Sequence, residues 1–423
     1  MLYIHNANQV ITVGGFSETP AKKEEMKKLH IIEDGSVFIQ GEKIVAVGKD
    51  SALRNQYRDQ IEKAVKISAR GKIVTPGLID PHTHLVYAGS REQEYAMRLR
   101  GKSYMDIMNA GGGIHATTRA TRQASFAQIY AETKNRLDTF LLHGVTTVEI
   151  KSGYGLTLEH ELKQLQVIHQ LNVDHPIDIV PTFMGAHAIP DEYKDQPDRF
   201  VELIIEGMIP VVAESGLAEF NDVFCEKGVF TPEQSRRILE AGKRHGLPPK
   251  IHADEIEPYG GAELAAEVGA ISADHLLKAS DEGIEKLAEA GIIGVLLPGT
   301  AFFLMAEYAP ARKMIERGVP VALSTDSNPG SSPTLSLQII MNLACLKMGM
   351  TPEEVITAST INAAHAIGRA QEVGSLEPGK KADIVIFNVP NYLFLSYQYG
   401  MNHVDMVIKN GIPVVKDGVL LTN

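Results

Sequence analysis

From about residue 75 the chain alternates short apolar runs with longer stretches of helical periodicity. The runs are "IVTPGLIDPHTH", "GVTTVEIKSGY", "IDIVPTFMGAH", "FNDVFCE", "PKIHADE", "AISADH", "IIGVLLPG" and "VPVALSTDSN". Apolar on both faces, they predict eight strands of a parallel sheet covered by helices. The helical stretches carry start and stop signals. In "TPEQSRRILEAGKRHG", Thr231 caps, Pro232 suits the first turn, Gln234 completes a capping box and Gly246 ends the helix. "TPEEVITAST" from Thr351 repeats the device, and a further helical pattern begins near Pro333. Eight strands alternating with helices point to a closed (β/α)8 barrel over residues 74–372 in preference to an open doubly wound sheet.

The flanks follow a different rule. "SVFIQGEKIVAVG" gives two alternating runs around a Gly-Glu turn, and the far end gives "ADIVIFNVP", "HVDMVIKNG" and "IPVVKDGVLL", with turns at Asn410-Gly411 and Asp417-Gly418. These are strand signals without helices. Since neither flank supplies many strands, residues 1–73 and 373–423 are expected to build one small composite β-sandwich beside the barrel.

Composition narrows the partners. With 423 residues, 44% of them hydrophobic, the chain can bury a large core. Its formal charge of -11 and the lack of any long run of like charge argue against nucleic acid or an anionic membrane surface. The start of the chain lacks the basic and apolar regions of a signal peptide, and no run of about 18 apolar residues occurs, so a cytoplasmic protein is expected. Cys225 and Cys345 are too far apart for a Cys-x-x-Cys pair and read as apolar filler.

In such a barrel the chemistry lies at the C-terminal strand ends. The first run ends with His82 and His84, which in a strand point to one face. The others deliver Lys151 and Tyr154, His187, Glu226, His252 and Glu255, His275, and Asp326. His82, His84, His252 and Asp326 form a three-nitrogen, one-oxygen set suited to a divalent ion such as zinc, with a position open for water. Water in such a site ionises near neutral pH, which implies hydrolysis or deamination. Glu255 is placed to shuttle protons, and His275 to stabilise an oxyanion or polarise a carbonyl. Lys151 is expected in an ion pair, the remaining histidines receive no role, and "AGGGIHATTR" is read as a loop covering the substrate.

The segments "DPHTH", "IHADE", "SADH" and "LSTDSNPG" together resemble the amidohydrolase superfamily, metal-bearing (β/α)8 barrels with a composite β-sandwich. A narrower set, "HLVYAGSREQEYAMRLRGKSY", "AGGGIHATTRATR", "VEIKSGYGL", "TFMGAHAIP" and "STDSNPGSSPT", resembles the branch whose members open the ring of 4-imidazolone-5-propanoate with water, yielding N-formimidoyl-L-glutamate. The resemblance implies one zinc or iron ion per chain, held by His82, His84, His252 and Asp326. It also implies substrate contacts from Arg91, Tyr104, Tyr154, His187, Glu255, Asn328, Gly330 and Ser331, and a homodimer. A propanoate tail needs a cation, for which Arg91 in the long first loop is the anchor. The backbone N–H groups near Gly330 and Ser331 are expected to form a carboxylate nest. Whether Glu255 or Asp326 is the first base stays open. Alternatives are a ring aminohydrolase of the cytosine or guanine type, a dinuclear cyclic amidase with a carbamylated lysine, and a non-catalytic scaffold.

Overall fold

In the computed structural model, which describes residues 1–102, 106 and 111–421, the eight apolar runs are eight parallel strands. They are β1 (Leu78–Asp80), β2 (Val145–Lys151), β3 (Asp178–Ala186), β4 (Phe220–Cys225), β5 (Pro249–Ala253), β6 (Ser272–His275), β7 (Ile293–Leu296) and β8 (Val321–Leu323). Each pairs with the next in chain order. Nearly every position along them is buried, because helices cover the outside and side chains fill the inside. The seam between β8 and β1 closes just beyond the strands, where Thr83 bridges Ser327 in parallel. There His84 N–H donates to the Ser327 carbonyl (3.0 Å), and the Ser324 hydroxyl donates to the His82 carbonyl (2.7 Å). The barrel is therefore tied shut at the rim that carries its histidines.

Local signals fix the helices. Thr231 and Gln234 form a reciprocal capping box on Pro232–Arg244, and Thr351 with Glu354 does the same for Pro352–Ala358. Gly246, at φ +82°, turns the chain after the first of these. The helix expected near Pro333 starts later, at Leu337, with the Ser336 hydroxyl accepting from Ile339 N–H. The delay has a cause. The Ser332 hydroxyl donates to the Thr325 carbonyl (2.6 Å) and Asn328 N–H donates to the Ser332 carbonyl (3.1 Å), which folds residues 328–332 back on the end of β8.

Both flanks join one nine-stranded mixed sheet. Its junction is Ile73–Pro76, antiparallel to Ile384–Phe387 and parallel to Leu2–Ile11. The sheet curls on itself: Ile44 N–H reaches the Lys380 carbonyl, Ala382 N–H the Glu42 carbonyl, and Gly411 N–H the Ala382 carbonyl. Ile4, Val37, Ile39, Val74, Ile384 and Ile408 make the core inside the curl. At both hairpin turns the central pair has positive φ (Asn410 and Gly411, Asp417 and Gly418), the primed geometry that Asn-Gly and Asp-Gly favour. Among the described residues no helix is long and apolar enough to cross a membrane.

Candidate metal centre and substrate cleft

His82 and His84 leave the end of β1, His252 lies within β5, His275 ends β6, and Asp326 follows β8. All five are buried and converge on one point of the rim. Ligand atoms of His82, His84 and His252 lie within 4.8 Å of one another, as do those of His82, His275 and Asp326. Asp326 Oδ1 is 3.6 Å from Nε2 of both His82 and His84, while its Oδ2 accepts from the Thr300 hydroxyl (2.6 Å).

The other side of each imidazole decides what it offers this point. His82 Nδ1 meets Asp274 Oδ2 at 2.5 Å, and His252 Nδ1 meets Asp222 Oδ1 at 3.1 Å. A carboxylate accepts, so both Nδ1 atoms carry the proton and both Nε2 lone pairs face inward. Among the described residues His82 Nε2 has no hydrogen-bond partner, and His252 Nε2 lies 3.3 Å from His84 Nε2. Burial holds His82, His84 and His275 well below the usual histidine range, so these three are neutral. Lone pairs crowded into one buried space repel each other unless a cation lies between them, so the donor set fits a divalent metal ion.

Beneath the histidines lies a charge network centred on Lys151, on the end of β2. Its ammonium is 2.7 Å from Glu149 Oε1, 2.7 Å from Asp222 Oδ2 and 3.8 Å from Asp274 Oδ2, all fully buried. Against burial, which pulls it down, the charges of Asp222, Glu149 and Asp274 hold the ammonium above its ordinary value. The same ion pair, working against burial, keeps Asp222 well below the ordinary carboxylate range. Three carboxylates around one ammonium leave a formal excess of negative charge below the ligand set, which favours a cation above it. Lys151 is thus an ion-pair lysine, as expected, and one ammonium steadies the carboxylates behind two histidines at once.

Above the cluster opens a cavity of about 550 Å³. His187, Tyr154, Glu255, His275, Arg91 and Asn328 all border it. His187 stacks on His84 with centroids 4.7 Å apart, and burial pushes it down to about 3. Glu255 lies 3.6 Å from His275 Nε2. Burial first, then the charges of Asp326 and Glu226, push Glu255 up to about 8, while burial raises Asp326 to about 6. Among the described residues neither His275 nitrogen has a hydrogen-bond partner, which leaves the ring free for a guest in the cavity. His275 and Asp326 both have left-handed backbones, at φ 76° and 50°, a conformation that L-residues hold at a cost of about 1–3 kcal/mol.

At the mouth, Arg91 Nε and Nη2 both donate to Glu94 Oε2 (2.9 and 2.8 Å), and Glu94 Oε1 accepts from Gly113 N–H (3.1 Å). The opposite edge of the guanidinium lies on Gly330, where a methyl group would overlap Arg91 Nη1. The nest expected at residues 330 and 331 is differently used. Asn328 Oδ1 accepts from both Gly330 N–H and Ser331 N–H at 2.8 Å, so this turn is satisfied by its own side chain and its helix begins six residues beyond Ser331. Gly330 and Ser331 do line the cavity. Glu226 turns away from it, its carboxylate accepting from Lys227 and Ile256 N–H groups (3.0 and 2.9 Å) to clamp the chain beyond Glu255. Gly113 and Ile114, from the glycine-rich segment, reach the cavity wall. Tyr104 lies outside the described residues.

The supports behind the site were the harder part to read. Asp222 and Asp274 lie inside "FNDVFCE" and "SADH", where the available signal is an acidic residue within a run otherwise apolar enough to be buried. Thr300 and Glu94 carry no comparable mark.

A family model described as "Amidohydrolase family" matches residues 73–414. An imidazolonepropionase of Geobacillus sp. (strain WCH70) is 68% identical over 419 residues, covering 99% of each chain. Among solved structures, a triazine hydrolase variant superposes with a TM-score of 0.73 at 19% identity, over 100% of this chain and 96% of the other. An adenosine deaminase from Xanthomonas campestris with bound zinc gives 0.68 at 18%, over 99% and 94%. At such low identity these two support the fold alone.

Proposed function

The chain belongs to the amidohydrolase family, among the imidazolonepropionases, and from that premise we propose how its cleft performs the hydrolysis. The reaction is opening of the cyclic amide C–N bond of 4-imidazolone-5-propanoate, which gives N-formimidoyl-L-glutamate in histidine degradation. The observation that carries this reading is one cavity with neutral, inward-facing imidazoles at its floor and the Arg91 guanidinium at its mouth.

His82, His84, His252 and Asp326 hold one zinc or iron ion; both metals suit three imidazoles and a carboxylate. When bound, the ion supplies Lewis acidity and makes water easier to ionise. Arg91 grips the propanoate with the edge that Glu94 leaves free, which sets the ring over the floor. His187 and Tyr154 border the ring, with Asn328, Gly330 and Ser331 near the tail, and Tyr104 is assigned a further substrate contact. Glu255 or Asp326 accepts a proton from water, and the water oxygen bonds to the amide carbon. His275 donates to the oxygen on which negative charge grows. The C–N bond then breaks as the ring nitrogen takes up the proton. We assign the protein to the cytoplasm, a reducing compartment in which Cys225 and Cys345 would stay thiols.

The direct test is an ultraviolet assay of fresh 4-imidazolone-5-propanoate with metal analysis of the same sample. Loss of substrate with formation of N-formimidoyl-L-glutamate at about one metal per chain is expected; a fully metallated protein without turnover sinks the reading. Arg91→Ala should raise KM roughly 10- to 100-fold, with kcat changed far less, because a charged hydrogen-bonded pair is lost. An unchanged KM would favour a ring aminohydrolase, whose substrate has no tail. Gly330→Ala should act in the same direction without removing any charge. Its methyl group displaces the guanidinium, and a shift of about 1 Å costs up to roughly 100-fold in kcat/KM.

A further inference from the structure

Glu161, in the first turn of the helix Leu158–Asp174, is fully buried, yet it faces neither the ligand set nor the cavity. Its hydrogen-bond partners are neutral donors of the loop after β2. Oε1 accepts from Gly155 N–H (2.8 Å) and Leu156 N–H (2.7 Å), and Oε2 accepts from Gly153 N–H (2.9 Å). One turn on, Gln164 Oε1 accepts from Tyr154 N–H (3.2 Å). Four successive backbone amides, from Gly153 to Leu156, are thus moulded onto two side chains of one helix.

Two glycines make the mould possible. Gly153 has φ +110°, and a Cβ there would lie 2.9 Å from His187 Nδ1; a Cβ on Gly155 would lie 2.6 Å from Glu161 N. The Gly153 carbonyl belongs to the peptide whose N–H, on Tyr154, is held by Gln164, while Glu161 holds the amides on either side of it; fixed from both sides, this carbonyl meets His187 Nδ1 at 3.0 Å. A carbonyl only accepts, so His187 carries its proton on Nδ1 and leaves the Nε2 lone pair as an acceptor. An acceptor on the cavity wall suits an N–H of the imidazolone ring.

We propose that Glu161 is a positioning residue for the substrate: by fixing the Gly153 carbonyl it sets the tautomer and pose of His187. This rests on the reading of His187 as a substrate contact. A carboxylate is required because both oxygens accept, whereas glutamine turns one of them into an NH2 facing a backbone N–H.

The test is a double-mutant cycle read as steady-state kinetics on metal-loaded enzyme. Glu161→Gln should lower kcat/KM roughly 10-fold or more, mainly through KM, with metal content at the wild-type level. In a His187→Ala background the same change should cost less than roughly twofold, because the group through which it acts is gone. If glutamine prevents folding, Glu161→Asp keeps both oxygens, draws them back by one methylene, and is read in the same cycle. Equal losses in both backgrounds, or no loss in the first, would overturn the positioning role while the His187 reading stands. Full turnover by His187→Ala alone would overturn that reading and the proposal with it.

Discussion

Glu255→Gln is expected to lower kcat by a factor of about 10²–10⁴, the usual worth of a positioned general base or acid, with metal content unchanged. Glu255 belongs to neither group of ligand atoms gathered around His82, so its loss should not release the ion. The pH profile supplies the second half of the test. A base works only when ionised, so kcat/KM climbs as Glu255 loses its proton. Burial and the negative Asp326 and Glu226 raise that step from 4.5 toward about 8, and a cation at the neighbouring ligands draws it back down. The acid limb of the wild-type profile should therefore have its midpoint between these values and disappear in Glu255→Gln. A variant that keeps wild-type turnover transfers the role to Asp326.

Lys151→Met is expected to be the most damaging change away from the cavity. It removes the ammonium that ion-pairs with Glu149, Asp222 and Asp274 and leaves three carboxylates fully buried around an apolar side chain. Breaking a buried ion pair from one side costs about 3–5 kcal/mol. The carboxylates then take up protons or shift, and the Nδ1 atoms of His82 and His252 lose the partners that orient them. Loss of such outer supports weakens metal binding about 10- to 100-fold. Calorimetry and metal titration of Lys151→Met should show both effects together. A variant of normal stability and metal affinity would mean that the aspartates orient the histidines without the ammonium.

The barrel was legible because its signal is repeated: eight apolar runs with capped helices between them each say the same thing. The composite sheet was legible from the contrast at the flanks, where strand patterns occur without helices. At the rim, the rule that active residues gather at C-terminal strand ends led to His82, His84, His252, His275 and Asp326, and these do converge. The misreadings were local. Near Gly330 the sequence advertises free amides and a helix start, but the Asn328 side chain takes the amides and Ser332 folds the chain back. The charge network around Lys151 was legible only in part, since its partners come from β2, β4 and β6 and are brought together by the barrel's curvature, which no sequence spacing records. Glu94 and Glu161 act on backbone amides, and an amide has no letter of its own.

The pairing of Ile73–Pro76 with Ile384–Phe387 also sets a timetable for synthesis. The second strand leaves the ribosome roughly 300 residues after the first, which at 5–20 residues per second is a wait of about 15–60 s. Throughout that interval the edge of Ile73–Pro76 is an unpaired template for any passing strand. Yet Gly77 N–H, which leads straight into the barrel, bonds to the Asp383 carbonyl of the late segment. The later segment thus seals the edge of the earlier strand and braces the entry to the barrel, so a chain stalled before residue 384 should lack both supports.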